Sequence, residues 1–133
     1  MHERDDDRPL VSVLIVNFNG RHILEACLRS VSRRLSVPHE VIVCDNGSVD
    51  GSVGFLHAAF PSVRVIARPQ NEGFSVGNNV AAAAARGEYL LLLNTDTILE
   101  DDLAPLVEML AADPSVGVVG CRLTYANGAS ASL

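Results

Sequence analysis

The segment Glu88-Tyr89-Leu90-Leu91-Leu92-Leu93-Asn94-Thr95-Asp96-Thr97 joins an unbroken apolar run to a single carboxylate. Leu90 to Leu93 follow neither a helical nor an alternating period, the pattern of a central strand buried on both faces in a parallel sheet. A carboxylate just beyond such a strand, here Asp96, can hold a divalent cation, and the cation can hold a diphosphate. Asp and Asn also stand at strand ends simply as turn formers, so Asp96 needs companions. Asp45 directly follows the apolar stretch Val41-Ile42-Val43-Cys44. There an acid can accept from a base N–H or a ribose hydroxyl, or cap a turn. Asn17-Phe18-Asn19-Gly20 follows Val11 to Val16, and Phe18 can cover a nucleobase or tuck under the next helix. In a parallel sheet these three loops emerge on one edge, the carboxyl edge where open α/β sheets bind ligands.

A fourth segment, Asn71-Glu72-Gly73-Phe74-Ser75-Val76-Gly77-Asn78-Asn79, opens a helix and is rich in amides and small residues. Small residues let a ligand approach the backbone, and the free N–H groups of a helix start suit phosphate. A capped helix with Gly73 as its turn residue fits the same letters. Neither a G-x-G-x-x-G after the first strand nor a G-x-x-x-x-G-K-[ST] is present, which removes two common nucleotide motifs. No Ser/His/Asp set is evident, and His2, His22, His39 and His57 fall in the N-terminal tail or at expected surfaces and element ends.

Positioning these residues requires alternating strands and helices. Strands are expected at Val11–Val16, Glu40–Cys44, Val63–Ala67, Leu90–Leu93 and, fifth, Val116–Cys121. Ile23, Leu24, Cys27, Leu28 and Val31 recur at helical spacing within Arg21–Arg33. Further helices are expected at Ser52–Ala59, at Phe74–Arg86 with Gly87 as its C-terminal stop, and at Leu103–Ala112 with Asp101-Asp102 at its start. Strict alternation implies parallel β-α-β units.

The chain has 133 residues, enough for one domain with a sizeable core, and 48% of them are hydrophobic. Its formal charge is −6, and all ten basic residues are scattered arginines. That excludes the basic stripe of a nucleic-acid platform but not a nucleotide ligand. Residues 1–9 carry no apolar secretory core and are expected to be a flexible tail. Cys27, Cys44 and Cys121 lack metal-ligand spacing, and each lies in an apolar stretch, so all three are expected as buried free thiols.

The order of these segments resembles the N-terminal part of family 2 inverting glycosyltransferases of the GT-A fold, in particular their rhamnosyltransferase-like branch. The matching blocks run from Val13 to Asn19, Val41 to Gly51, Asn71 to Asn79 and Gly87 to Thr97. The resemblance implies an α/β fold: a GT-A (Rossmann-like), mostly parallel sheet flanked by helices and ending after about the fifth strand. It implies a nucleotide-sugar-binding half-domain over 10–122, followed by a truncated segment, 123–133.

The resemblance also implies roles. Phe18 lies against the nucleobase, and Asp45 hydrogen-bonds the uracil or thymine imide. Asn71, Gly73 and Asn79 shape the pocket around ribose and diphosphate. Asn17, Asn19, Asn46, Phe74, Asn78, Asn94 and Thr95 complete the nucleotide-sugar site. Asp96 matches the last acid of a D-x-D element that holds Mg²⁺ or Mn²⁺, with Asn94 in place of its first acid. The donor implied is a dTDP- or UDP-sugar, of rhamnose or a similar hexose, and the acceptor of the full enzyme is a cell-surface glycan or a lipid-linked sugar. The family's catalytic base lies downstream, beyond Leu133. The resemblance further implies a bacterial cytoplasmic location, with peripheral attachment at the inner membrane face and a homodimer both left open. A non-catalytic interaction module that self-associates or binds a partner is the alternative expectation.

Overall fold

Val11–Asn17 (β1) and His39–Asp45 (β2) carry a set of almost fully buried apolar residues, including Val13, Leu14, Ile15, Ile42 and Val43. They pair in parallel along their whole length, from Val11 opposite His39 to Asn17 opposite Asp45. The computed structural model describes residues 7–129. Arg64–Ala67 (β3) adds outside β2, and Tyr89–Leu92 (β4) adds on the other side of β1, so the sheet order is β3-β2-β1-β4, all parallel. Arg21–Arg34 (α1), Ser52–Ala59 (α2) and Phe74–Ala84 (α3) form the crossovers.

Successive strand side chains face opposite sides of a sheet. Leu14, Ile42 and Cys44 point to one face, where Ala81 and its alanine neighbours on α3 cover them. Val13, Ile15 and Val43 point to the other. On that side Leu28 and Val31 of α1 share a small cavity with Val41 and Val63. The Arg21 guanidinium stacks 3.4 Å above the Phe55 ring and ties α1 to α2. The strands therefore wind outward from β1 through β2 to β3, then return across the sheet to β4. The winding reverses between β1 and β4, the kind of crevice where doubly wound sheets bind ligands.

The chain divides into two compact units, Met1–Asp102 and Leu103–Leu133. The first holds the sheet and α1 to α3. The second holds Ala104–Ala112 (α4), with Pro105 in its first turn and Asp113 as its C-cap. Residues 1–6 of the expected tail and residues 130–133 of the expected C-terminal segment lie outside the described residues; Leu10 is already buried, its N–H donating to the Pro38 carbonyl at 2.8 Å.

Several expectations need correction. Among the described residues the Leu90–Leu93 run is an edge, not a central strand: β4 pairs there with β1 alone, and Leu90 and Leu92, which share one face of it, are 48% and 56% exposed. Unbroken hydrophobicity cannot tell a doubly covered strand from one whose second neighbour is missing. No strand forms at 116–121 among the described residues, and Val118 is 87% exposed there. A β-prone segment becomes a strand only where another strand accepts its hydrogen bonds. α3 ends at Ala84 with extended Ala85, so Gly87 is not its stop. Gly87 instead crosses Ser12 closely: a Cβ there would lie 2.6 Å from the Ser12 nitrogen, and the Gly87 N–H donates to Ser12 Oγ at 2.8 Å. α4 has no acid in its first turn; the Asp102 carboxylate accepts from the Ser36 N–H and hydroxyl. Cys27 and Cys44 are buried as expected, but Cys121 is exposed.

Candidate functional site

Parallel pairing places Asn17 and Asp45 as partners at the ends of β1 and β2, with side chains on the same face. The consequence is a buried hydrogen bond, 2.8 Å from Asn17 Nδ2 to Asp45 Oδ2. The other carboxylate oxygen accepts the Ser48 N–H at 2.9 Å, so Asp45 shapes its own loop. Ser48 Oγ in turn accepts from Asn17 Nδ2 at 3.2 Å and from the Asn19 N–H at 2.8 Å. Asn19 sits at φ 52, a left-handed conformation that Asn tolerates better than most residues, and its Oδ1 takes the Val49 N–H at 2.8 Å. Asp50 closes the set by accepting the Arg21 N–H at 2.9 Å at the start of α1. Burial pulls the Asp50 carboxyl slightly up, but the Ser52 hydroxyl and the Arg21 and Ser52 N–H groups outweigh it and hold it below its ordinary value.

The loops after β1 and β2 are thus cross-linked into one rigid lip. Asp45 and Asn17 are almost wholly buried in it. Phe18 projects outward, 51% exposed, so it is not tucked under α1. An exposed ring beside buried amides and a buried carboxylate is suited to stacking on a planar heterocycle.

Asn46 carries the lip to α3. Its N–H donates to the Asn17 carbonyl at 2.8 Å and its Nδ2 to the Gly73 carbonyl at 3.0 Å. Gly73 has φ 91 and ψ 172, a backbone region open essentially to glycine alone. That conformation turns the chain into α3, whose first N–H groups have no side-chain cap. Gly77 lets the helix press on β1: a Cβ there would lie 2.7 Å from Val16 Cγ1. Asn71 is exposed, and its Oδ1 accepts the Gly73 N–H at 2.9 Å. Asn78 is buried and donates to the Phe74 carbonyl at 3.1 Å. Phe74 and Asn79 are exposed. Asn46 Oδ1 and Asn17 Oδ1 are buried acceptors without a hydrogen-bond partner among the described residues.

The loop after β4 is built differently. The Thr97 N–H donates to the Asn94 carbonyl at 3.1 Å, closing a turn with Thr95 and Asp96 at its tip. Asn94 and Asp96 are exposed, and Thr95 is half-buried. Among the described residues no three His, Cys, Asp or Glu side chains converge as a metal cage. Asp96 offers one accessible carboxylate, which fits a cation completed by phosphate oxygens and water, as Mg²⁺ commonly is.

Ser48, Asp50 and Arg68 were not singled out by sequence pattern. Ser48, three residues after Asp45, has the spacing of an Asp that bonds the backbone beyond it, and that signal could have been read. Arg68 is found only in three dimensions: its N–H donates to the Asp45 carbonyl at 2.8 Å and its guanidinium pairs with Glu72.

Known proteins resemble this chain in sequence and in fold. The sequence profile of Glycosyl transferase family 2 matches residues 12–130. The chondroitin synthase of Pasteurella multocida (strain Pm70) is 32% identical over 74% of this chain, which spans 10% of that protein. A mannosyltransferase from Pyrobaculum calidifontis, solved with GDP-Man and Mn²⁺, superposes with TM-score 0.69 at 25% identity, over 83% of this chain and 34% of that one. TarS from S. aureus, solved with UDP, superposes with TM-score 0.68 at 22% identity, over 77% of this chain and 32% of that one. The chain therefore spans a minor part of the length of each of these proteins.

Proposed function

The chain belongs to glycosyl transferase family 2, and from that premise we propose that its carboxyl edge holds the nucleoside-diphosphate half of a sugar-nucleotide donor for an inverting transfer. The observation that carries this is the convergence of the Asn17–Gly20, Asp45–Gly51, Gly73–Asn79 and Asn94–Thr97 segments at the strand ends. Phe18 stacks on the base. Asn17, Asn19, Asp45 and Asn46 form the polar wall beside it. Asn71, Gly73, Phe74, Asn78 and Asn79 border the ribose and diphosphate, with the uncapped N–H groups of α3 turned toward phosphate. Asn94, Thr95 and Asp96 form the far wall.

Asp96 is the residue that would hold Mg²⁺ or Mn²⁺, which as a Lewis acid offsets the charge of the departing diphosphate. The likeness to a structure holding GDP-Man and Mn²⁺ supports a divalent ion. The likeness to one holding UDP supports a pyrimidine donor, and we assign dTDP- or UDP-linked rhamnose or a similar hexose on the sequence resemblance. Inversion requires a base to take the acceptor proton. We assign that base to none of the residues at this edge, and we propose a glycan or lipid-linked acceptor at the cytoplasmic membrane face. A second proposal, a docking module, is favoured by Leu90 and Leu92, which are exposed on one face of β4. Among the described residues no helix is long and apolar enough to cross a membrane.

The test is thermal unfolding with UDP, dTDP, GDP and ADP, each with and without Mn²⁺. At about 100 times Kd, linkage supplies about 2.7 kcal/mol, a rise of roughly ten degrees for a domain of this size. A metal-dependent, pyrimidine-selective rise, absent in Asp96→Ala, is expected. No rise with any nucleotide contradicts the donor site and favours the docking module.

A further inference from the structure

Residues 93–100 run without regular secondary structure; β1 holds their start, the Leu93 N–H donating to the Leu14 carbonyl at 3.0 Å, and α1 fastens the stretch beyond it. Cys27 and Ser30 are three residues apart, so they share one face of α1, and both are buried. The Cys27 S–H donates to the Asn94 carbonyl at 3.5 Å. Ser30 Oγ donates to the Cys27 carbonyl at 2.7 Å and accepts the Leu99 N–H at 3.0 Å. These bonds grip the segment at both ends, Asn94 before Asp96 and Leu99 after it. The same Asn94 carbonyl also takes the Thr97 N–H that closes the turn. Leu93 and Leu99 are both buried, so the segment is seated in the core at each end while Asp96 stands exposed between them.

We propose that Cys27 and Ser30 are positioning residues that set where the Asp96 carboxylate stands relative to the Asn17–Asp45 lip. The proposal rests on the assignment of Asp96 to the cation and diphosphate. The physical reason is the shortage of ligands: one carboxylate must define the place of a cation whose remaining ligands are phosphate and water. If the turn is loose, ordering it is charged against binding. α1 is suited to the task because it begins at the lip, where the Arg21 N–H bonds Asp50, and passes beneath the Asn94 carbonyl two turns later. Its length therefore spans the distance between the two walls. Burial first, and then the nearby Asp96 charge, push the Cys27 thiol up to about 11. At neutral pH the sulfur therefore keeps the proton it donates to Asn94.

The test uses the full 133-residue chain and the variants Ser30→Ala, Cys27→Ala and Cys27→Ser. Amide hydrogen exchange is measured in the absence of ligand. Ser30→Ala and Cys27→Ala are expected to speed exchange across 94–99 and leave 45–51 unchanged. Equal exchange in all variants overturns the proposal. The second readout is the Mn²⁺ concentration at half-saturation of UDP binding, beside the affinity for uridine without metal. Ser30→Ala is expected to raise the Mn²⁺ midpoint about fivefold, the size of one ordinary hydrogen bond, and Cys27→Ala, which loses a weaker S–H donor, by a smaller factor, with uridine affinity unchanged in both. Cys27→Ser, which keeps a donor, is expected to return toward the parent value. An unchanged midpoint, or an equal loss for uridine, overturns the proposal. If the parent chain binds no UDP with Mn²⁺, the donor assignment fails on its own, and the exchange result alone decides whether α1 fastens the turn.

Discussion

The two walls of the carboxyl edge are made by opposite means. The wall after β1 and β2 is a hydrogen-bonded lattice, buried at Asn17 and Asp45 and reaching the surface at Asp50, in which Asn17, Asn19, Asp45, Ser48 and Asp50 bond one another and the neighbouring backbone. The wall after β4 is a short exposed turn held from behind by α1. On the proposed reading, the first wall would recognise by a shape fixed by its own hydrogen bonds, and the second would present a charge to a cation whose remaining ligands are phosphate and water. The contrast follows from sheet order: β1 and β2 are flanked on both sides, whereas β4 has a neighbour on one side only.

That contrast is broken most directly by removing each wall's carboxylate in turn. Asp45→Ala leaves the Ser48 N–H without its acceptor and Asn17 Nδ2 with only the Ser48 hydroxyl, and a loss of about 2–3 kcal/mol in urea unfolding is expected. Asp96→Ala, on the exposed turn, is expected to stay within about 0.5 kcal/mol of the parent while abolishing metal-dependent nucleotide binding. Comparable losses of stability in the two variants would mean that the walls are not built differently.

A smaller effect is expected where α3 meets the first wall. Gly77→Ala places a methyl 2.7 Å from Val16 Cγ1 and 3.2 Å from Asn46 Nδ2. Overpacking of this kind costs about 2 kcal/mol. Because Asn46 carries the bond to Gly73, nucleotide affinity should fall together with stability.

Acid sensitivity offers a subtler probe, placed at the amino edge as a control. Burial alone would raise the Glu40 carboxyl, but the Ser12 hydroxyl and the Arg86 N–H and guanidinium outweigh it and hold it below its ordinary value. A lowered folded value stabilises the protein above the unfolded value, and the contribution is lost as pH falls through the folded one. The melting temperature of the parent should therefore drop more between pH 5 and pH 3, roughly the span of these carboxyl titrations, than that of Glu40→Gln. Nucleotide binding at neutral pH should be equal in the two.

The smallest effect is chemical. In the native protein Cys121 alone should react with a thiol reagent at pH 8, because Cys27 and Cys44 are buried and burial first of all pushes both thiols up. Labelling of all three only after unfolding would agree. Rapid labelling of Cys27 would mean that α1 does not cover the Asn94 carbonyl.

Much of this was legible in the sequence because short-range patterns dictate it. The β-branched runs of β1 and β2, the helical spacing of Leu24, Cys27, Leu28 and Val31, and the strict alternation of elements follow from local chemistry. The coincidence of Asp45 and Asn17 on one edge also followed from the parallel order. What the sequence did not reveal depends on distant partners. Nothing near Leu90 says that β4 lacks a second neighbour, and nothing near Val118 says that no strand accepts it. Gly87 has the letters of a helix stop, and only the crossing of Ser12 explains it. Cys27 and Ser30 look like ordinary core-facing helix residues until the Asn94–Leu99 segment is laid across them.

The most direct measurement is amide chemical-shift mapping of the chain with UDP and Mg²⁺, compared with UDP alone. The account predicts UDP-dependent shifts in 17–20, 45–51 and 71–79, further metal-dependent shifts confined to 94–99 and the facing turn of α1, and none at the amino edge around His39 and Gly87. Shifts centred on the amino edge, or metal-dependent shifts that bypass 94–99, would contradict it.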